Sequence, residues 1–91
     1  MKYIVFEDSG NEMLVAFPKC IDHNRMAEAM SALRFGSDRE WHRRQGKIVA
    51  AGFIEGRECV GRSETLNIGS RKNIDTMMFM AGGFRVLTPK T

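Results

Sequence analysis

The chain has 91 residues, of which 43% are hydrophobic and 27% charged, and its formal net charge is +3. That length fits one domain over residues 1–91, and the absence of any apolar run of about 18 residues argues against a membrane-spanning helix. Acidic residues follow the first six positions too early for the apolar region of a signal peptide, so a cytoplasmic location is expected.

The first predicted elements are two strands joined by a turn. Residues 2–7 and 12–17 are rich in β-forming side chains, and Asp8-Ser9-Gly10-Asn11 between them is typical of a tight turn. The pattern predicts a β-hairpin. Both strands are apolar at nearly every position, which favours either a central place in a sheet or a second covered face.

A helix is predicted to begin after Asp22, because aspartate is a good N-cap residue. Ile21 and Met26 occupy the two positions of a hydrophobic staple around that cap. Gly36 is expected to end the helix. The apolar stripe at helical spacing consists of Met26, Ala29, Met30 and Leu33.

A short second helix is predicted over residues 38–45. Ser37 and Glu40 have the spacing of a capping box at its start, and Gly46 follows its end. The helix is polar apart from Trp41, and it lies in the most basic part of the chain, since residues 34–47 carry five basic and two acidic groups.

Residues 47–54 and 58–66 predict a second hairpin, with Glu55-Gly56-Arg57 as its turn. A type II′ turn at Gly56-Arg57 places Gly52 opposite Gly61. Two facing glycines leave room for a close backbone or a ligand, or they mark a bulge.

The last predicted helix covers residues 71–81, with Ser70 as its cap and Gly82-Gly83 at its end. A short strand is expected to follow it, before Pro89. The inward stripe of this helix is predicted to contain Ile74, Met77, Met78 and Ala81.

These elements predict an α+β fold: a four-stranded antiparallel sheet made of two β-hairpins, each followed by a helix (ββα-α-ββα), with the helices packed on the sheet. The hairpin–helix order occurs twice without a residue-level repeat.

Metal and thiol chemistry are not expected. Cys20 and His23 have ligand-like spacing and Cys59 could join them, but a structural zinc site usually takes four Cys or His ligands and the chain has only two of each. Both cysteines are interpreted as reduced, buried thiols. No cofactor, metal or catalytic residue is predicted, and a small hydrolase using Cys59 or Cys20 is the enzymatic alternative.

A phosphate site is predicted where a strand passes into the last helix. Free backbone N–H groups and the positive end of the helix dipole attract anions there, and Ser70, Arg71 and Lys72 add a hydroxyl and two charges. Arg62 and Ser63 on the preceding strand are expected nearby. The alternative is that Ser70 only caps the helix, while the basic side chains are solvated or paired with Asp75.

The basic linker helix offers a second contact for a nucleotide or nucleic acid. Trp41 could stack on a base while Arg43 and Arg44 hold phosphates. The alternative is that Trp41 is the core anchor of a short helix whose outer face is charged.

The run Met77-Met78-Phe79-Met80 covers nearly the whole circumference of the last helix. With Met77 and Met78 inward, Phe79 and Met80 point elsewhere, so a partner or a second copy is expected to cover them, unless the C-terminal tail packs over Phe79. The predicted interface residues are Met77, Phe79 and Met80.

The leading hypothesis is a non-enzymatic binding protein that captures a phosphate-bearing ligand, either a nucleotide or nucleic acid. In size and style the chain resembles small phage-encoded inhibitors of bacterial defence or nucleic-acid machinery, which implies stoichiometric binding rather than catalysis. The alternative is a protein–protein inhibitor or adaptor that acts as a homodimer through an apolar helix surface.

Overall fold

The computed structural model describes residues 1–8, 10–28 and 47–86. Several predictions fall outside these ranges. They concern the end of the first helix at Gly36, the linker helix over 38–45, and the side chains of Trp41, Arg43 and Arg44.

The described residues form seven strands: β1 (Lys2–Asp8), β2 (Asn11–Phe17), β3 (Lys47–Glu55), β4 (Glu58–Val60), β5 (Arg62–Ser63), β6 (Ile68–Gly69) and β7 (Phe84–Val86). Five of them form the main sheet, in the order β4-β3-β1-β2-β7. All neighbours are antiparallel except β2 and β7, which are parallel. A separate two-stranded sheet pairs β5 with β6.

The prediction of a four-stranded antiparallel sheet is therefore wrong. The strand predicted over residues 58–66 breaks at Gly61, whose φ of 77° leaves the extended region, and the chain beyond it forms the small sheet. The segment after the last helix adds a fifth strand, Phe84–Val86, beside β2. That strand is parallel to β2, so the sheet is mixed.

Both hairpin turns form where they were predicted. Asp8 pairs with Asn11, which leaves two residues for the first connection, and Gly10 there has a φ of 83°. In the second turn Gly56 has a φ of 64° while Arg57 is not among the residues with positive φ, as a type II′ turn requires.

Helix α1 is described over residues 23–28 and begins as predicted. The carbonyl of Asp22 accepts the first helical hydrogen bond from the Met26 N–H, at 3.0 Å. Ile21 packs against the buried cluster that contains Met26, as the predicted staple requires.

Helix α2 covers Asn73–Met80, two residues later than its predicted start. Its N-cap is Lys72, without a side-chain cap hydrogen bond, so the prediction that Ser70 caps this helix is wrong. The predicted end is confirmed, because Gly82 and Gly83 donate to the carbonyls of Phe79 and Met78, each at 3.1 Å, in a Schellman motif. Within the described ranges, no helix is long and apolar enough to cross a membrane.

Each face of the main sheet carries its own buried cluster, because successive side chains of a strand point to opposite faces. Met78 and Phe79 of α2 cover one face, and Met26 and Ala27 of α1 pack on the other. Tyr3, Val5, Leu14, Ala16, Ala50, Ile54 and Cys59 form the first cluster; Ile4, Val15, Phe17, Met26 and Ala51 form the second.

At Gly52 the second hairpin, Tyr3 of the first hairpin and the turn before α2 lie close together. A Cβ atom on Gly52 would lie 2.4 Å from the Val60 carbonyl oxygen and 3.3 Å from atoms of Ser70 and Tyr3. The glycine therefore admits a close backbone, the first of the three possibilities that the sequence left open for the Gly52–Gly61 patch.

Candidate functional site

A buried polar network holds α2 to the sheet. Asp75 is fully buried, and its Oδ2 accepts hydrogen bonds from the Tyr3 hydroxyl at 2.6 Å and from the Arg71 backbone N–H at 2.8 Å. Its Oδ1 accepts from Arg71 Nε at 2.7 Å. Burial, and next the Asp75 carboxylate, raise the pKa of Tyr3 above its usual value, so the phenol stays a donor.

The same arginine reaches a second carboxylate. Nη1 and Nη2 of Arg71 each donate to Glu12 on β2, at 2.9 Å, in a two-pronged ion pair. The hydrogen bonds from Arg71 lower the pKa of Glu12. The guanidinium of Arg71 therefore lies between two carboxylates. Pairing with Asp75 was the alternative to phosphate binding in the sequence analysis. A phosphate would have to compete with Glu12 for this guanidinium.

The other predicted phosphate ligands make mostly internal contacts. Ser70 Oγ donates to the Cys59 carbonyl at 3.0 Å and accepts from the Lys72 N–H at 2.9 Å. Ser63 is buried and its Oγ accepts from the Leu66 N–H at 3.2 Å. The structure places Ser70, Arg71 and Lys72 in one turn, but only Lys72 among them is exposed.

Arg62 is also exposed, on β5, and its guanidinium donates to the side-chain oxygen of Asn67. Arg62 and Lys72 are thus the exposed cations in the described part of the predicted phosphate site. In the contacts observed there, neither pairs with a carboxylate.

The thiols differ from each other. Cys59 is buried, and burial, with the nearby Asp75 next in size, raises its pKa to about 11, so the thiol is protonated near neutral pH. Cys20 is exposed, so the prediction that it is buried is wrong. Both are free cysteines. The protonated state of Cys59 argues against its use as a nucleophile.

The His23 side chain is buried and contacts neighbouring residues through its ring. Its Nε2 lies 2.8 Å from the Gly52 carbonyl oxygen, and its ring meets Phe17 and Phe53 edge to face, with centroids 5.5 Å away in each case. Burial lowers the pKa of His23. Among the described residues, no group of three His, Cys, Asp or Glu side chains is arranged to hold a metal ion.

The apolar residues of α2 divide differently from the predicted stripe. Met78 and Phe79 pack on the core, and the Phe79 ring lies 4.5 Å from that of Phe84. Ile74 and Met77, predicted to face inward, are 58% and 72% exposed. The physical reason is Asp75: its buried carboxylate turns the side that contains positions 75, 78 and 79 toward the sheet.

We call Ile74, Met77 and Met80 the apolar ridge, since they recur every third residue along one side of α2. Met80 is 56% exposed, so all three side chains are more than half accessible. Val86 of β7, itself 51% exposed, belongs to the sheet face that α2 covers, as its alternation with Phe84 shows. Sequence reasoning identified Met77, Phe79 and Met80 as contact residues. Of these, Met77 and Met80 are exposed, whereas Phe79 packs on the core. It missed Ile74 because it took the wrong side of the helix as buried.

Comparison with known proteins reveals no relative. The chain matches no protein-family model, no curated protein and no solved structure. Its function is therefore inferred from the geometry of its own residues.

Proposed function

We propose that this chain is a non-enzymatic binding protein that acts through protein contacts made by the apolar ridge. The observation that carries the proposal is the exposure of Ile74, Met77 and Met80 on a helix whose opposite side is fixed to the core. Contiguous exposed apolar side chains are typical of protein-contact sites, and methionine adapts its shape to different partners.

The anchoring of α2 supports this function. Asp75 accepts hydrogen bonds from β1 and from the chain just before α2, and Arg71 extends the connection to Glu12 on β2. The ridge is thereby presented on a helix that is already ordered, so a partner need not order it on binding. The raised pKa of Cys59 supports a role without covalent catalysis.

The proposal is tested by placing a photo-crosslinking phenylalanine analogue at position 77 in the full chain, produced in cells. We expect covalent protein adducts from position 77 that disappear when Met80→Asp is added. The control carries the analogue at Asn24, an exposed position on α1, on the opposite face of the sheet. Equal adducts from positions 77 and 24, or none from 77, would contradict the proposal.

The capture of a phosphate-bearing ligand is retained as a second proposal, on the observation that Arg62 and Lys72 are exposed cations near the start of α2. Its test is fluorescence titration with ATP and with a single-stranded oligonucleotide. Arg62→Ala combined with Lys72→Ala should weaken binding at least tenfold and reduce its salt dependence. Unchanged affinity in that variant, or affinity that persists at 1 M salt, would refute it.

We also propose a cytoplasmic location and a stoichiometric inhibitory or adaptor role. The location is supported by the two free cysteines, which are typical of a reducing compartment. The role is supported by the small size of the chain and by the apolar ridge. Cell fractionation tests the location, since recovery of the chain outside the cytoplasm would contradict it.

A further inference from the structure

We propose that the partner that covers the apolar ridge is a second copy of this chain, packed with its α2 antiparallel to the first. The inference rests on the proposed function, because it names the occupant of the same surface. Three features of the described residues support it: the absence of charge on the ridge, the asymmetry of the two helix ends, and the area exposed.

The first feature is charge. The one charged residue within α2 is Asp75, which is fully buried and paired with Arg71. Two copies that each carry a net charge of +3 can therefore bring their ridges together without placing like charges in the contact. A partner that relied on charged side chains would find no complement on the ridge itself.

The second feature selects the antiparallel arrangement. Lys72 stands at the N-terminal end of α2, and the last turn of the helix contains no basic residue. Beyond that turn, Gly82 and Gly83 are exposed and have no side chains to obstruct an approach. An antiparallel pair brings each Lys72 toward the negative end of the other helix, whereas a parallel pair brings the two lysines together.

The register follows from the spacing. Met77 is the midpoint between Ile74 and Met80, so a two-fold axis perpendicular to the helices passes near Met77. Met77 of one copy then faces Met77 of the other, and Ile74 faces Met80. In a parallel pair each of the three positions would face itself.

The third feature is area. The three ridge residues are each more than half exposed, and side chains exposed to that extent present on the order of 350 Å² per copy, which is within the range of the largest apolar patch on a monomer. Two copies would bury about 700 Å² in total, which is the size of a weak, transient contact. We therefore expect a weak, reversible dimer with a dissociation constant on the order of 100 μM.

Sedimentation velocity of the full chain, from about 1 to 500 μM so as to bracket that constant, provides the first test. We expect the mass to rise with concentration from 10.3 kDa toward twice that value. Met77→Asp should stay monomeric throughout, while Asn24→Asp, which adds the same charge on the opposite face, should behave as wild type. A wild-type monomer at the highest concentration, or a dimer unaffected by Met77→Asp, would overturn the inference.

Charge-swapped variants test the antiparallel arrangement of the two α2 helices by restoring the dimer as well as by abolishing it. Met77→Glu and Met77→Lys should each be monomeric, and an equal mixture should restore the dimer. Ile74→Lys combined with Met80→Glu should dimerise, because each lysine faces a glutamate in the antiparallel pair, whereas Ile74→Lys alone should not. Rescue by the mixture without rescue in the double variant would overturn the antiparallel arrangement.

The crosslinking experiment at position 77 separates the two proposals. An adduct at twice the chain mass supports the second copy. Adducts to a different protein, together with a monomer in sedimentation, would refute the dimer and leave the proposed function standing. No adduct and no dimer would refute both.

Discussion

At the scale of single residues, Asp75 sets which side of α2 faces the sheet. Its carboxylate is buried and accepts three hydrogen bonds, two of them from Arg71 and one from Tyr3. A buried carboxylate is costly unless its oxygens are paired. The network therefore holds only while its donors are present, and each donor can be tested separately.

Tyr3→Phe removes one of those donors while the ring stays in place. We expect a loss of about 1.5–3 kcal/mol in the free energy of unfolding, since the bond goes to an ionised group. Urea denaturation measures it. In an Asp75→Ala background the same substitution should cost well under 1 kcal/mol, because the acceptor is already absent. Equal costs in the two backgrounds would show that the hydrogen bond is unimportant.

His23 predicts a pH dependence of stability. Burial lowers its pKa in the folded chain below the value of 6.5 expected when unfolded. The unfolded chain therefore binds the proton more readily, so this contribution is complete above about pH 6.5 and is lost as the pH falls below it. The charged neighbours that act on the ring are Lys2, which lowers the pKa, and Asp22, which raises it.

The measurement is the free energy of unfolding between pH 7.5 and about pH 5.5. We expect it to fall with a slope of up to about 1.4 kcal/mol per pH unit, the limit for one proton. His23→Gln should remove that slope whatever its effect on stability at pH 7.5. Glu12 contributes in a more acidic window, below its usual pKa of 4.5, because its pKa is lowered. An unchanged slope in His23→Gln would rule out His23 as its origin.

At the scale of elements, local chemistry explains where α1 starts and where α2 ends, but the start of α2 is unusual. Lys72 has a φ of 53° and a ψ of −106°, a conformation that an L side chain rarely adopts. The Ser70 hydroxyl accepts a hydrogen bond from the Lys72 N–H, and Arg71 is held by Asp75 and Glu12. These contacts hold the chain in this conformation before α2 begins.

Lys72→Gly should therefore stabilise the chain, by about 0.5–1 kcal/mol, since relief of backbone strain exceeds the greater flexibility of glycine in the unfolded state. The matched control is Asn67→Gly. Asn67 has a φ of 56°, but asparagine tolerates that region and its side-chain oxygen accepts a hydrogen bond from Arg62, so no gain is expected. Thermal unfolding of both variants provides the measurement, and a destabilised Lys72→Gly would show that its backbone is not strained.

The side of α2 that faces the sheet differs from the side that helical periodicity predicts. The apolar pattern favours a stripe through Ile74 and Met77, since it treats Asp75 as a surface residue. The helix instead buries Asp75 together with Met78 and Phe79. A signal was present in the four-residue spacing of Arg71 and Asp75, but the tyrosine that completes the network is 72 residues away in sequence.

At the scale of the whole molecule, the sheet is covered on both faces, which explains why β1 and β2 are apolar at nearly every position. Gly52 connects several elements at once. The site of its absent side chain is occupied by the Val60 carbonyl and by atoms of Ser70 and Tyr3. The packing of β4, of Tyr3 and of the turn before α2 against β3 therefore requires a glycine here.

Gly52→Ala should be strongly destabilising, by about 3 kcal/mol or more, because the nearest obstacle is backbone and cannot rotate away. Gly83→Ala is the control, since a Cβ there would make only an ordinary contact of 3.5 Å with the Met78 carbonyl oxygen. We expect that control to change the free energy of unfolding by less than about 1 kcal/mol. Similar costs at positions 52 and 83 would contradict the close approach at Gly52.

The sequence by itself determined the features that depend on neighbouring residues. Both hairpin turns, the start of α1 after Asp22 and the end of α2 at Gly82 follow from turn and cap chemistry within a few positions. The run from Met77 to Met80 cannot face inward at all four positions of one helix. Which of its side chains are exposed did not follow from the sequence, since Met77, predicted in the inward stripe, is exposed and Phe79 packs on the core.

Only the tertiary structure decided the order of the strands, the parallel pairing of β7 with β2, and the side of α2 that faces the core. Each depends on contacts between distant parts of the chain, such as the hydrogen bond from Tyr3 to Asp75 and the ion pair from Arg71 to Glu12. A buried charge is stable only beside partners that folding brings to it. The exposed ridge is the consequence, since the side of α2 opposite this network is left to solvent.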